Sequence, residues 1–201
     1  IEWMNQNGFN VVTANQYFMQ RVHNISSAHG LITIQWDDVY GMDIYKDTII
    51  EAYYFQNITT IVKAGYKSIL SNENAWYLDH LSTTWDIMYN NEPCAGLTDQ
   101  ECVASVLGGE MSMWSESVDD SDLDNTIWPR AAGGSEKLWS QESQTTNNIN
   151  NAHPRIEYFR CLLNSRNIGA APTNNQQARQ PPGGPSSCYY QRRRLINNIY
   201  K

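Results

Sequence analysis

The sequence predicts an α/β fold, half of a parallel (β/α)8 barrel followed by a helix and an irregular tail. Three observations point there. Short runs rich in β-formers alternate with helical or loop segments, the sign of parallel βα units. Four such runs are half of eight, and 201 residues fall short of the roughly 250 that a full barrel takes. After Trp139 the alternation stops and Asn-, Pro- and Gly-rich stretches take over.

The elements follow in order. Residues 13–28 place Tyr17, Phe18, Val22 and Ile25 at helical spacing. Residues 31–36, Leu-Ile-Thr-Ile-Gln-Trp, read as the first strand, and residues 48–54 as the second. Residues 57–64 form a short helix that Gly65 closes. A third strand covers 66–71. A helix over 98–107 opens on Thr98-Asp99-Gln100-Glu101, a capping-box pattern. Residues 108–114 are expected to be a buried fourth strand delivering Trp114 and Glu116 to its C-terminal end. An acidic loop over 116–124 then leads to a helical stretch over 125–140 with Pro129 near its start. Residues 144–151 are expected as a polar loop and 153–167 as a helix with Ile156, Phe159, Leu162 and Leu163 on one face. Residues 169–187 read as an irregular connector, and Arg192, Arg193 and Arg194 as a solvated basic face.

Composition bounds the function. With 41% hydrophobic and 17% charged residues the chain can build one sizeable core. A net charge of −7 argues against nucleic acid or an anionic membrane as partner. No run of eighteen apolar residues occurs, so no membrane span is expected. The start at Ile1, without an initiator Met, leads us to expect a processed polypeptide. Cys94, Cys102, Cys161 and Cys188 lack the spacing of zinc ligands, so no metal is expected. Their even number allows two disulfides in any of three connectivities. With the glycosylation sequons at Asn24 and Asn57 they point to a lysosomal or secreted protein.

Working residues of parallel barrels lie at the C-terminal strand ends. Aromatic–acid groups stand at four such ends: Trp36-Asp37-Asp38, Tyr53-Tyr54, Trp76-Tyr77-Leu78-Asp79-His80, and Trp114-Ser115-Glu116. A single aromatic there is most often packing. Four together suit one sugar ring, with apolar platforms for its faces and carboxylates for its hydroxyls.

Residues 108–140 carry Gly108-Gly109-Glu110, Trp114, Glu116, Asp119, Trp128-Pro129-Arg130-Ala131, Glu136 and Leu138-Trp139. This spacing resembles the last βα unit of the family 20 β-N-acetylhexosaminidases, GGE-x-x-x-W-x-E-x-x-D…WPRA…E-x-LW. Thr48-Ile49-Ile50-Glu51-Ala52-Tyr53 is similar to that family's T-I-V-E-x-W strand, and Ile69-Leu70-Ser71…Trp76-Tyr77-Leu78-Asp79 to its I-L-S…W-Y-L-D segment. The resemblance implies the C-terminal half of a TIM barrel, about strands five to eight, over residues 1–143. A helix and a disulfide-closed irregular tail would then pack on it over 144–201.

It also implies roles. Trp36, Tyr53 and Trp114 would wall a pocket for a terminal non-reducing N-acetylhexosamine, with Trp76 a further aromatic beside it. The Tyr77 hydroxyl would hold the substrate's acetamide as it attacks C1, the substrate-assisted retaining route that needs no cofactor. Asp79 would accept from O6 and Glu116 from O4. Tyr53 stands where the family usually has Trp, and Ser117 where an aromatic is frequent. The family's Asp-Glu acid/base pair is absent, so the resemblance implies an N-terminal partner chain from the same precursor, in a homodimeric or heterodimeric enzyme. The alternative is a non-catalytic sugar-binding or structural fragment. The family's C-terminal pattern implies a Cys161–Cys188 disulfide, which leaves Cys94–Cys102 as a local staple.

Overall fold

The computed structural model describes residues 1–116, 118–174 and 188. Ser117, the connector beyond residue 174 and Arg192, Arg193 and Arg194 lie outside the described residues. In chain order the elements are α1 (Glu2–Gln6), α2 (Val11–Ala28), β1 (Ile34–Trp36), a 3₁₀ turn (Asp37–Val39), β2 (Ile49–Ala52), α3 (Ile58–Lys63), β3 (Lys67–Leu70), α4 (Glu73–Trp76) and α5 (Trp85–Asn90). They continue with α6 (Asp99–Ser105), β4 (Val106–Gly109), α7 (Leu123–Ile127), α8 (Arg130–Trp139), α9 (Glu142–Thr145) and α10 (Ile149–Ser165). Two compact units result: Ile1–Asn72 with Pro93–Glu110, and Glu73–Glu92 with Met111–Lys201.

The first unit holds the sheet. Its strands run in the order β1-β2-β3-β4, all parallel, as expected of a barrel fragment. Ile50, Ile61 and Leu70 are buried between sheet and helices. Local chemistry fixes the helix ends. Asn10 and Thr13 form a capping box on α2, and Thr98 and Glu101 do the same on α6. Asn57 caps α3, which Gly65 ends at φ +87°, a conformation open to glycine. Buried His23 ties α2 to the sheet: its Nδ1 lies 3.1 Å from Thr33 Oγ1 and its ring stacks on Tyr45. The Cys94–Cys102 disulfide staples the entry to α6.

Two strands differ from the expectation. β1 begins at Ile34 rather than Leu31, because it pairs on one side only and the ladder to β2 starts at Thr33. β4 is shifted to Val106–Gly109. Gly108, at φ +134°, interrupts the extended geometry beside a register shift at Ser68/Ile69. The acid at the end of the paired strand is therefore Glu110, whose N–H donates to Leu70 O at 2.9 Å.

The second unit is helical. Trp85, Tyr89, Ala152 and Ile156 form its core, with α5 packed on α8. Gly133 permits that approach, and Gly134 makes room for Met111. A Cβ on Gly133 would lie 2.4 Å from Trp85 O, and one on Gly134 2.3 Å from Met111 Sδ. Buried Lys137 on α8 reaches Glu92 at 3.1 Å and Thr145 Oγ1 at 2.9 Å. The helix expected over 125–140 is two helices. Pro129, preceded by a cis peptide bond, cannot supply the N–H that would continue α7, and α8 starts after it. Conversely α10 begins at Ile149, inside the expected loop. Pro154 removes one helical hydrogen bond, and burial of Ala152 and Ile156 outweighs that loss. The Cys161–Cys188 disulfide closes onto α10 with a Cα–Cα distance of 5.5 Å. No described helix is long and apolar enough to cross a membrane.

Candidate active site

Each unit presents its own group of the residues that the sequence singled out. In the first unit, β1 ends in Trp36 and the segment after β2 starts with Tyr53. Their rings meet edge to face, 5.0 Å between centroids, and Phe55 stands edge-on to Tyr53 at 5.9 Å. Buried Asp37 fixes this segment, its Oδ2 accepting the Gln56 N–H at 2.7 Å. Burial pushes the Asp37 carboxyl up, while the N–H groups of Gln56, Tyr54, Tyr53 and Phe55 pull it back. Asp37 thus holds the chain that carries Tyr53.

Beneath the aromatic pair lies an acid pair that sequence reasoning left without a role. Glu51 on β2, the register partner of Trp36, is 7% exposed. Burial, together with a hydrogen bond to Glu110 and that group's like charge, pushes Glu51 up to about 8, against a smaller opposing pull from Ser71. Glu51 is therefore a neutral carboxylic acid at neutral pH. The signal was present in the sequence as an acid inside an otherwise apolar strand, Ile49-Ile50-Glu51-Ala52.

In the second unit, Tyr77 and Trp114 lie 6.1 Å apart by ring centroid, and His80 is 5.5 Å from Tyr77. The backbone brings them together: Leu78 N donates to Ser112 O at 2.8 Å and Ser112 N to Trp76 O at 3.0 Å. Asp79 sits beside them with His80 Nε2 4.0 Å from its Oδ2. Its Oδ1 is buried, and no described residue donates a hydrogen bond to it. A buried carboxylate oxygen left this way is costly unless something else fills it. Glu116 is exposed.

Trp76 requires a correction. It is fully buried and its indole N–H donates to Met88 O at 2.9 Å, so its ring packs in the core and has no face for a ligand. Further chain around it could only bury it more. A separate cavity of about 320 Å³, lined by Trp128, Ala132, Ile156 and Phe159 with the Glu136–Arg155 pair, involves none of the sugar-site candidates.

Arg130 is the second residue that sequence reasoning passed over. It is 3% exposed, and burial lowers its pKa to about 10 against the opposing pull of Asp79, so it remains a cation at neutral pH. Its position within Trp128-Pro129-Arg130-Ala131 was the only hint in the sequence.

Residues 1–142 match the family model described as glycosyl hydrolase family 20, catalytic domain. The chain belongs to glycosyl hydrolase family 20. Among its relatives, Arabidopsis thaliana beta-hexosaminidase 1 is 40% identical over 179 residues, covering 86% of this chain and 33% of that protein. Bos taurus beta-hexosaminidase subunit alpha is 33% identical over 167 residues, covering 78% and 31%. Among solved structures, Flavobacterium johnsoniae chitobiase superposes with a TM-score of 0.70 at 27% identity, covering 88% of this chain and 28% of that one. The chain thus spans about a third of the length of the curated relatives it matches.

Proposed function

We propose that this chain is part of a β-N-acetylhexosaminidase that releases terminal non-reducing N-acetylhexosamine from glycoconjugates. Asp79 Oδ1 carries the proposal: a buried acceptor without a donor among the described residues, beside the Tyr77–Trp114 pair. A sugar hydroxyl would fill it. In this proposal Asp79 takes O6, exposed Glu116 takes O4, and Trp114 packs on the apolar face of the ring. Trp36 and Tyr53 have the sugar-facing role that the family pattern implies, and Trp76 has none.

The Tyr77 hydroxyl holds the acetamide carbonyl so that its oxygen attacks C1, which makes the reaction substrate-assisted and retaining. Departure of the leaving group still needs a general acid. We assign it to the N-terminal part of the barrel, in the length of the relatives that this chain does not span. The first unit has a surface suited to that part. Among the described residues β1 has a sheet neighbour on one side only, and Leu31 and Ile32 just before it, Ile34 within it, and Phe18 and Ile25 on α2 are exposed. Residues 1–143 would thus complete a TIM barrel as its C-terminal half, with 144–201 its helix and tail. Naming of a relative as a subunit supports a dimeric enzyme. Two disulfides, and exposed sequons at Asn24 and Asn57, support a lysosomal or secreted location.

The test is Tyr77→Phe in the full-length enzyme. kcat should fall on the order of 100-fold, the usual cost of a misplaced reacting group, with a smaller change in KM. Unchanged turnover would remove Tyr77 from the mechanism.

A further inference from the structure

A guanidinium has five N–H donors in a fixed planar fork. Arg130 uses all five on backbone carbonyls. Nε donates to Thr126 O at 3.0 Å, and one terminal nitrogen donates to His80 O at 3.0 Å and Thr83 O at 3.1 Å. The other terminal nitrogen donates to Leu78 O and again to Thr126 O. Leu78 and His80 are the residues on either side of Asp79, and Thr83 closes the same turn through its N–H to His80 O at 3.0 Å. The guanidinium therefore grips the backbone around Asp79 and has no N–H left for its carboxylate. Its positive charge nevertheless acts on that carboxylate.

The combination is unusual. A buried carboxylate is ordinarily stabilised by direct pairing, which consumes its lone pairs. Here the guanidinium bonds to the flanking backbone and attracts the carboxylate, while Oδ1 has no donor among the described residues. We propose that Arg130 is a positioning residue for substrate recognition: it fixes the backbone on both sides of Asp79 and balances its charge, so that the carboxylate can accept a sugar hydroxyl without a protein donor competing for it. The inference rests on the proposed sugar-binding role of Asp79 and adds to it the residue that makes Asp79 selective.

The experiment measures kcat/KM of the full-length enzyme on 4-nitrophenyl N-acetyl-β-glucosaminide and on its 6-deoxy and 4-deoxy analogues. Wild type should lose about 10- to 100-fold on the 6-deoxy sugar, the usual worth of a hydrogen bond to a charged group. Arg130→Lys keeps a cation but cannot reach the four carbonyls, and Arg130→Met removes the charge. Both should shrink the 6-hydroxyl preference to within a few-fold of unity, mainly through KM, and leave the 4-hydroxyl preference within about twofold of wild type. A wild-type enzyme indifferent to the 6-hydroxyl would refute the Asp79 role itself. A wild type that discriminates, with variants that retain the whole preference, would refute only the Arg130 role. Equal loss of both preferences would mark Arg130 as merely structural and also overturn the proposal. If Arg130→Met does not fold, Arg130→Lys alone decides, and a 6-hydroxyl preference that it retains in full would refute the Arg130 role.

Discussion

Replacing Glu51 by Gln should change how the stability of the assembled enzyme depends on pH. In the folded protein Glu51 is held up to about 8 by burial and by Glu110, whereas an unfolded chain would release its proton near the ordinary value of 4.5. Between those limits the folded state binds the extra proton, so stability falls as pH rises. The contribution is complete below about pH 4.5 and gone above about pH 8. The slope can reach about 1.4 kcal/mol per pH unit, and integration from pH 5 to 8 gives about 3.5 kcal/mol as an upper figure for a group acting alone. Gln keeps the shape and neutrality of the protonated acid and does not titrate. Urea unfolding followed by tryptophan fluorescence at pH 5, 6, 7 and 8 should therefore show wild type weakening steadily and Glu51→Gln following a flatter line. The variant should be close to wild type at pH 5 and more stable at pH 8. Glu110→Gln removes the like charge and should move the wild-type fall to lower pH. Parallel lines for wild type and Glu51→Gln would refute the buried acid pair.

Other consequences are direct. Gly133→Ala drives a methyl group into Trp85 O and should cost about 1–3 kcal/mol by separating α5 from α8, read as a lower urea midpoint; an unchanged midpoint would mean that the helices are not in that contact. Neutral substrates should be hydrolysed faster than 6-sulfated ones at neutral pH, because the sulfate would meet the Asp79 carboxylate; a faster sulfated substrate in steady-state kinetics would contradict that placement. Residues 1–201 expressed alone should aggregate through the open edge of β1 and the apolar residues along it and α2; a soluble, monodisperse species by size-exclusion chromatography would count against the barrel-completing surface.

Much of the molecule was legible because it rests on local chemistry. Parallel α/β alternation, the Thr98–Glu101 capping box and the Gly65 stop depend on neighbours within a few residues, and each stands where the sequence placed it. Trp36 and Tyr53 stand at the ends of β1 and β2 for the same reason, since a strand's direction and period fix what its end presents, whereas Trp114 and Glu116 lie beyond β4, which ends at Gly109.

What the sequence could not decide involves groups distant along the chain. Trp76 and Tyr77 are adjacent and both lie in an aromatic–acid motif, but only packing against Met88 turns Trp76 into the core. Residues 149–151 read locally as part of a polar loop, and the burial of Ala152 and Ile156 against Trp85 and Tyr89 draws them into α10. Glu51 and Glu110 are fifty-nine positions apart by number, and neither segment predicts that the two meet. Arg130 reads from its motif as one more basic residue. Only the folded chain brings the carbonyls of Leu78, His80 and Thr83 within reach of its fork, because backbone acceptors carry no sequence signature.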